Sequence, residues 1–318
     1  MRGLNYSKPG GLPVNRMGGR SLLAQKRYWQ LYLLAAVPVL FIIIFNYLPM
    51  GGVLIAFKDF SIRKGILGSD WAGFKYFQQL FNTPIFPVIL KNTLMLSILS
   101  LIISFPFPIL LAIAFNEITS VRLKKTLQTI TFAPYYISTV VVVSILFQMF
   151  SYRYGVVNSL INLLGGKAVD FLGTSGFFIP AYIFSGIWQS AGYNSVLYLA
   201  ALSGVDPSLY EAAYIDGANR VQKLWHIDLP GIKPTIIITL ILSTGNLLGV
   251  GFEKVFLMQN PVNYGISEII STYVYKVGIV QAQFSFATAA GLFNSVVNCI
   301  ILLLVNRIAG YVSETSLF

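Results

Sequence analysis

Apolar positions in this chain do not alternate with polar ones; they run together. Six stretches are continuously apolar for 20 residues or more: about 30–57, 88–115, 127–150, 176–203, 234–257 and 285–308. At about 1.5 Å of rise per residue, each is long enough to cross roughly 30 Å of hydrocarbon as a helix. Strands of a membrane β-barrel would alternate over about 10 residues, which these runs do not do. The pattern predicts an all-α, polytopic membrane protein with six transmembrane helices. The intervening pieces are a tail over 1–29, a loop over 58–87, a polar segment over 204–233 and a short tail over 309–318.

The polar segment differs most from its surroundings. Its stretch EAAYIDGANRVQKLWHIDLP, 211–230, holds charged residues of both signs and the single His226 between two apolar runs. Asp206-Pro207 predicts a helix start, the Asp capping free N–H groups and the Pro occupying the first turn. Gly217 interrupts this helix. Asn219 with Gln222 three residues later predicts a second start with a reciprocal capping box. Val221, Leu224 and Trp225 give the second helix an apolar side, and Leu229-Pro230 is expected to end it. Two short amphipathic helices joined at a bend result. From residue types alone, the segment reads equally as a self-packed connection or as a docking surface.

Composition supports the membrane reading: the 318 residues are 56% hydrophobic and 10% charged, with a mean hydropathy of +0.72. A soluble domain carries about 25% charged residues. The net charge is +11. Arg2, Lys8, Arg16, Arg20, Lys26 and Arg27 lie in an acid-free tail, without the interleaved aromatics of a nucleic-acid surface. Basic flanks of this kind remain in the cytoplasm. Six spans then bring the C-terminus to the same side, together with Arg122, Lys124 and Lys125 and with the 204–233 segment. The first apolar run is too long for a signal-peptide core, and no small-residue cleavage site follows it closely. It is therefore expected to be a retained anchor. The single Cys299 excludes an internal disulfide.

Catalytic signatures are missing. There is no phosphate-binding G-x-x-x-x-G-K-[ST] run, because Gly166-Lys167 is followed by Ala168. There is no H-E-x-x-H, no G-x-S-x-G and no Cys/His ligand set. The spans are nearly free of ionisable groups, which suits an uncharged solute and weighs against an ion-coupled transporter with a buried carboxylate. A membrane-embedded enzyme using Glu211 as a base would need a second group nearby, and Asp216 lies on another side of the helix. The spans do hold amides (Gln148, Gln189, Asn194, Asn246, Asn294, Asn298) and aromatics (Trp188, Tyr193, Tyr198). Amides bind hydroxyls and flat rings stack on sugar faces, so Gln148, Trp188, Tyr193, Asn194 and Asn246 are the candidate substrate-pathway residues. The same residues also serve as helix glue or interfacial anchors. Glu253 and Lys254 are expected at the outer end of the fifth span, where they either anchor the span or meet an external binding protein.

The residues of the polar segment resemble a known family. Glu211-Ala212-Ala213, Asp216-Gly217-Ala218 and Leu229-Pro230 are similar, at fixed spacing, to the EAA loop of bacterial ABC importer permeases. GIWQSAGYNSVLYLAAL, 186–202, looks like the sugar-importer branch. FLMQNPVNYGISEIISTYVYKVG, 256–278, is similar to its polysaccharide and complex-oligosaccharide permeases. The resemblance covers roughly 86–310. It implies a type I ABC importer permease fold and a non-enzymatic translocation role in the plasma membrane of a bacterium. It also implies that Glu211, Ala212, Ala213, Asp216, Gly217, Leu229 and Pro230 couple the spans to an ATPase. The implied partners are a second, homologous permease forming a heterodimer, two cytoplasmic ATPases holding ATP and Mg, and an external solute-binding protein. This chain would bind no cofactor. The implied substrate is an oligosaccharide, with plant-polysaccharide fragments such as pectin-derived chains as the particular case.

Overall fold

The computed structural model describes residues 29–313; the basic residues of the N-terminal tail and the end of the C-terminal tail lie outside that range. The chain divides into two units, residues 1–53 and 54–318. In the first, α1 (Trp29–Ile42) passes into a π turn at Ile43–Tyr47, and Pro38 lies inside it. None of its side chains is buried. A helix apolar on all sides is one whose surroundings are apolar too.

The second unit begins with a two-residue antiparallel pairing of β1 (Lys58–Asp59) with β2 (Asp70–Trp71). Lys64 pairs with Asp70 at 2.7 Å and Lys75 with Asp59 at 2.8 Å. α2 (Lys75–Asn82) leads into α3 (Phe86–Ser104), and α4 (Pro106–Asn116) continues it with Pro106 at its start. α5 (Val121–Phe132) is capped by Ser120, and α6 (Thr139–Met149) by Ser138. α7 (Val156–Leu163) precedes α8 (Phe178–Leu202). α9 (Pro207–Ile215) and α10 (Arg220–Lys223) form the polar segment. Then come α11 (Leu229–Gly245), α12 (Phe252–Met258), α13 (Ile270–Tyr275) and α14 (Phe284–Ser313).

Among the described residues, four helices are long and apolar enough to cross a membrane: Trp29–Phe57, Phe86–Asn116, Arg220–Gly245 and Phe284–Tyr311. A fifth is present if the bent pair Val121–Tyr136 and Thr139–Met149 forms one span. The structure therefore departs from six straight spans in three places. The expected third span bends by 99°. Pro134 lies in a tight turn there and Ser138 begins a new helix, so the backbone is re-aimed. The expected fourth span is helix α8, about 37 Å long at 1.5 Å per residue. Its Gln189, Asn194 and several Ser and Tyr residues keep it outside the set of strongly apolar helices. The expected fifth span begins earlier and ends at Gly245, because Asn246–Gly251 breaks the helix.

α8 is the central helix of this unit and packs on α3, α4, α5 and α11. Gly192 is required at its crossing with α5, since a Cβ there would run into the Thr131 carbonyl. One core cluster joins Ile109, Ala112 and Ile113 of α4 with Tyr198 and Leu202 of α8 and Ile232 of α11. A second joins Leu80, Phe86, Ile89, Ile270 and Phe286. Buried polar side chains serve as fasteners. Asn92 Nδ2 donates to the carbonyls of Gly265 and Glu268, both at 3.0 Å. The Ile270 N–H donates to Thr93 Oγ1 at 3.0 Å. These bonds fix the 259–276 stretch to α3.

Candidate functional site

Two places bring the sequence-predicted residues together. The first is the polar segment. Asp206 accepts from the Ser208 N–H at 2.9 Å and starts α9, and that bond holds its carboxyl below the usual value. α9 ends at Gly217, whose φ is +71°. The Gly217 N–H donates to the Tyr214 carbonyl at 3.1 Å and the Ala218 N–H to the Ala213 carbonyl at 2.8 Å. This pair of bonds is a Schellman termination, which needs a left-handed residue at that position. A Cβ on Gly217 would meet nothing in this chain, so its conformation, not local crowding, requires glycine here. Asn219 and Gln222 form the expected capping box, at 2.8 and 2.9 Å.

One expectation fails. Leu229-Pro230 does not end the second helix; Arg220–Gly245 runs on as one helix. A π turn at Leu224–Asp228 precedes Pro230, which falls in the first turn of α11 where its missing N–H costs little. The polar segment is thus one free helix, α9, folded against the foot of a long one.

Three residues that sequence reasoning did not single out for this segment hold it there. Tyr210 Oη donates to Asp228 Oδ1 at 2.6 Å, and Asp228 is only 1% exposed. Burial, and then the bond to Asp228, push the Tyr210 hydroxyl well above its ordinary value. Glu117, just after α4, lies 3.6 Å from both Arg220 and Lys223. The outward face is left uncovered: Leu209, Val221 and Trp225 are exposed, and Tyr214 and Ile215 are 85% and 83% exposed. Glu211, Ala212, Asp216 and Gly217 share that exposure, while Ala213 and Leu229 are half-buried and Pro230 is exposed. His226 Nδ1 is 2.9 Å from the Gln222 carbonyl within its own helix. The segment therefore offers an apolar patch edged by charge, as interaction surfaces do.

The second place is a cavity of about 800 Å³ between α3, α4, α8 and α11. Tyr193, Asn194 and Asn246 line it, whereas Trp188 and Gln148 lie outside its lining. Tyr193 stacks on Tyr135 at 3.9 Å and 7°, so one of its faces is already covered. Gln189 is engaged by the Ile137 carbonyl at 2.9 Å, and Asn298 by the Leu248 N–H at 2.8 Å. The hydroxyl groups carry more of the wall than the amides. Ser97, Ser100 and Ser104 stand on one face of α3; Thr239, Ser243 and Asn246 stand on one face of α11. Tyr198 Oη lies 2.8 Å from Thr239 Oγ1, and Ser100 Oγ is buried without a partner among the described residues. Spacings of three, four and seven residues on apolar helices are the signal that would have found these stripes. The lining holds no Asp, Glu, Lys, Arg or His. Such a wall can offer replaceable hydrogen bonds to a hydroxyl-rich solute.

A membrane-embedded helical bundle, with an uncharged polar cavity inside and an uncovered amphipathic segment at one end, has the form of a solute-translocating subunit. Residues 104–310 match the family described as the binding-protein-dependent transport system inner membrane component. The chain belongs to that family; it is a permease subunit of a bacterial ABC importer and not an enzyme. It is 44% identical over 296 residues, covering 93% of this chain and 92% of the other, to the polygalacturonan/rhamnogalacturonan transport system permease protein YteP of Bacillus subtilis. It is 45% identical over 297 residues to protein LplB of the same organism, covering 93% of each chain. A chain of the crystal structure of a bacterial alginate ABC transporter, in complex with an alginate pentasaccharide-bound periplasmic protein, superposes with a TM-score of 0.85. That chain is 40% identical, and the match covers 94% of this chain and 100% of that one.

Proposed function

We propose that this chain forms half of a pathway for oligosaccharides, pectin-derived chains being the favoured class. The pectin-derived class rests on similarity to relatives. The observation that carries the oligosaccharide reading is the cavity: about 800 Å³ bounded by hydroxyls, amides and tyrosines. Its position beside α8 gives sugar hydroxyls several exchangeable partners without a deep well that would stop transit. Similarity to permeases for polygalacturonan and alginate supports the same class.

The other half of the pathway is a second, homologous permease. Two ATPases supply ATP and Mg, and an external binding protein delivers the sugar. α9 and α10 are the coupling element, and the residues assigned to it are Glu211, Ala212, Ala213, Asp216, Gly217, Leu229 and Pro230. ATPase closure would then move the two permeases against each other. The N-terminal tail, α9 and the C-terminus lie in the cytoplasm, and the 58–87 loop lies outside.

The deciding experiment is co-purification of the tagged chain from its native membrane, followed by uptake of labelled oligogalacturonate into proteoliposomes. An ATPase and a second permease in the complex, with ATP-dependent uptake, is the expected result. A complex without an ATPase, or uptake that follows an ion gradient instead, overturns the reading. Cysteines placed at Ser7 and Ser208, after Cys299→Ser, should be shielded from impermeant reagent in intact cells; labelling of either overturns the orientation.

A further inference from the structure

Lys254, on α12, is 8% exposed. The sequence places it at the end of a span, where a lysine would reach for water. The structure instead turns it inward after the Asn246–Gly251 break. Its Nζ donates to the Tyr182 carbonyl at 2.9 Å and lies 4.9 Å from the centre of the Tyr182 ring. Gly186 lies beside it: a Cβ there would stand 3.4 Å from Nζ, an ordinary contact distance. No carboxylate pairs with Lys254 among the described residues, although Lys64, Lys75, Arg220, Lys223 and Lys276 all have one. Lys276 sets the contrast. It is the fold's structural lysine, held by Glu268 at 2.5 Å and Gln259 at 3.0 Å.

An ammonium has three N–H donors, and the Tyr182 carbonyl takes one. Burying an ammonium without a counter-charge is costly, and a buried, unpaired charge in a membrane transporter usually marks a functional group. Lys254 is not itself part of the cavity lining, but Tyr182, which it contacts, belongs to it, as do Gly249 and Val250, about one turn before Lys254 in sequence. Tyr182 and Ala200 both belong to that lining and lie on one helix, so Lys254 stands at the end of the cavity remote from α9.

We propose that Lys254 is a specificity-determining residue that receives a carboxylate of the sugar as it enters the cavity, making acidic oligosaccharides the preferred cargo. This rests on the oligosaccharide reading above and adds the missing counter-charge from the substrate. The Ser, Thr and Asn wall binds the hydroxyls of each residue, and the single ammonium holds one carboxylate at a time. A point charge with rotatable donors releases its anion more readily than a bidentate guanidinium would, which suits passage over retention.

The test uses the whole importer, with its partner permease, ATPases and binding protein, in proteoliposomes. The two probes are trigalacturonate and the carboxyl-reduced trisaccharide of the same linkage. Each variant's uptake is divided by that of the native importer for the same probe, which cancels selection by the binding protein. Lys254→Gln is expected to lower trigalacturonate uptake about tenfold, the loss of one charge-assisted bond, and to leave the reduced probe within about twofold. Lys254→Arg should keep most of the acidic uptake. If the native importer moves only the acidic probe, loss in Lys254→Gln with retention in Lys254→Arg supports the proposal.

Equal loss of both probes, or no loss of either, overturns it. So does a native importer that moves only the reduced probe, which leaves the oligosaccharide reading standing. A native importer that moves neither probe nor any other oligosaccharide removes that reading and this proposal together. Lys254→Met serves if Lys254→Gln does not assemble; if neither neutral variant assembles, the amine holds the fold and the proposal fails.

Discussion

The α9–α10 segment and the cavity wall are built on opposite plans. The segment is local: cap, helix, left-handed glycine and capping box follow one another from Asp206 to Gln222, and each is decided by neighbours in sequence. The cavity wall is assembled from α3, α4, α8 and α11, using serines, threonines and asparagines that are individually unremarkable in a membrane helix. On the proposed roles, a surface for a protein partner carries a dense signature, because its backbone shape must be reproduced residue by residue. A surface for a mobile sugar is spread over helices, because many weak contacts serve transit better than one strong one. The predictions below test that contrast.

The largest effect should come from Gly217→Asp. At φ +71° most side chains are strained by about 1–2 kcal/mol, Asp by less, so the added charge carries much of the expected effect. The Schellman bonds that set the angle between α9 and α10 would loosen, and a charge would be added to the exposed patch. Expected are normal membrane insertion, loss of ATPase capture in a pull-down and loss of uptake. Capture and uptake at native levels would remove the coupling role. Gly217→Asn, which tolerates the left-handed region better, should recover part of both.

Next in size is Tyr210→Phe. It takes the hydrogen-bond donor from a carboxylate that is 1% exposed, a change worth about 1.5–3 kcal/mol for a charged partner. The consequence should be local: faster hydrogen exchange across 207–216, with the cavity helices unchanged. The pH dependence has a defined sign. The Tyr210 hydroxyl is held above its ordinary value of 10.0, so the bond is at full strength below that pH and weakens only as pH rises past it. Protection of α9 should therefore be flat between pH 6 and pH 9 in the native chain. A fall in protection across that window would contradict the pairing.

The contrast also explains what could be read from the sequence. The all-α membrane class, the caps at Asp206 and Asn219 and the Gly217 break were legible, because periodicity and capping are properties of short windows. The bend at Pro134 and the break at Asn246–Gly251 were not, since continuous apolarity conceals a change of direction. The run of helix through Pro230 was hidden because a π turn absorbed the proline. Glu117, Asp228 and Lys254 were visible as charges, but their partners lie on other elements, and no periodicity in the sequence pairs the two halves. Of the cavity residues, Tyr193, Asn194 and Asn246 were reached through their chemistry. The Ser97, Ser100 and Ser104 stripe was passed over because serine is common in membrane helices.

Smaller still are single changes to the cavity wall. Asn246→Ala or Asn194→Ala removes one hydrogen-bonding group, worth about 1 kcal/mol, or about fivefold in transport KM. Trp188→Ala, outside the lining and half exposed, should change KM less than either. Ser100→Ala, which removes a buried hydroxyl that has no partner among the described residues, should leave both stability and KM close to native. If Trp188→Ala proves the most damaging of the four, with assembly intact, the sugar does not run along this cavity.

The smallest effect is expected where the sequence signature is strongest. Glu211 is exposed on α9 and has no ion pair or hydrogen bond among the described residues. Any contribution it makes is therefore expected from a partner. One exposed ion pair contributes about 0–1 kcal/mol and is screened by salt. Glu211→Ala should accordingly leave thermal stability untouched, weaken ATPase capture by no more than about fivefold at low ionic strength, and converge with the native chain as salt approaches 1 M. Glu211→Gln should behave in the same way, since it keeps the shape and loses the charge. A large loss with Gln that salt does not reduce would mean that Glu211 is desolvated in the assembled complex, where an unpaired partner charge costs several kcal/mol. The local plan of the segment would then end in a buried electrostatic contact in place of the shallow apolar one that Tyr214 and Ile215 imply.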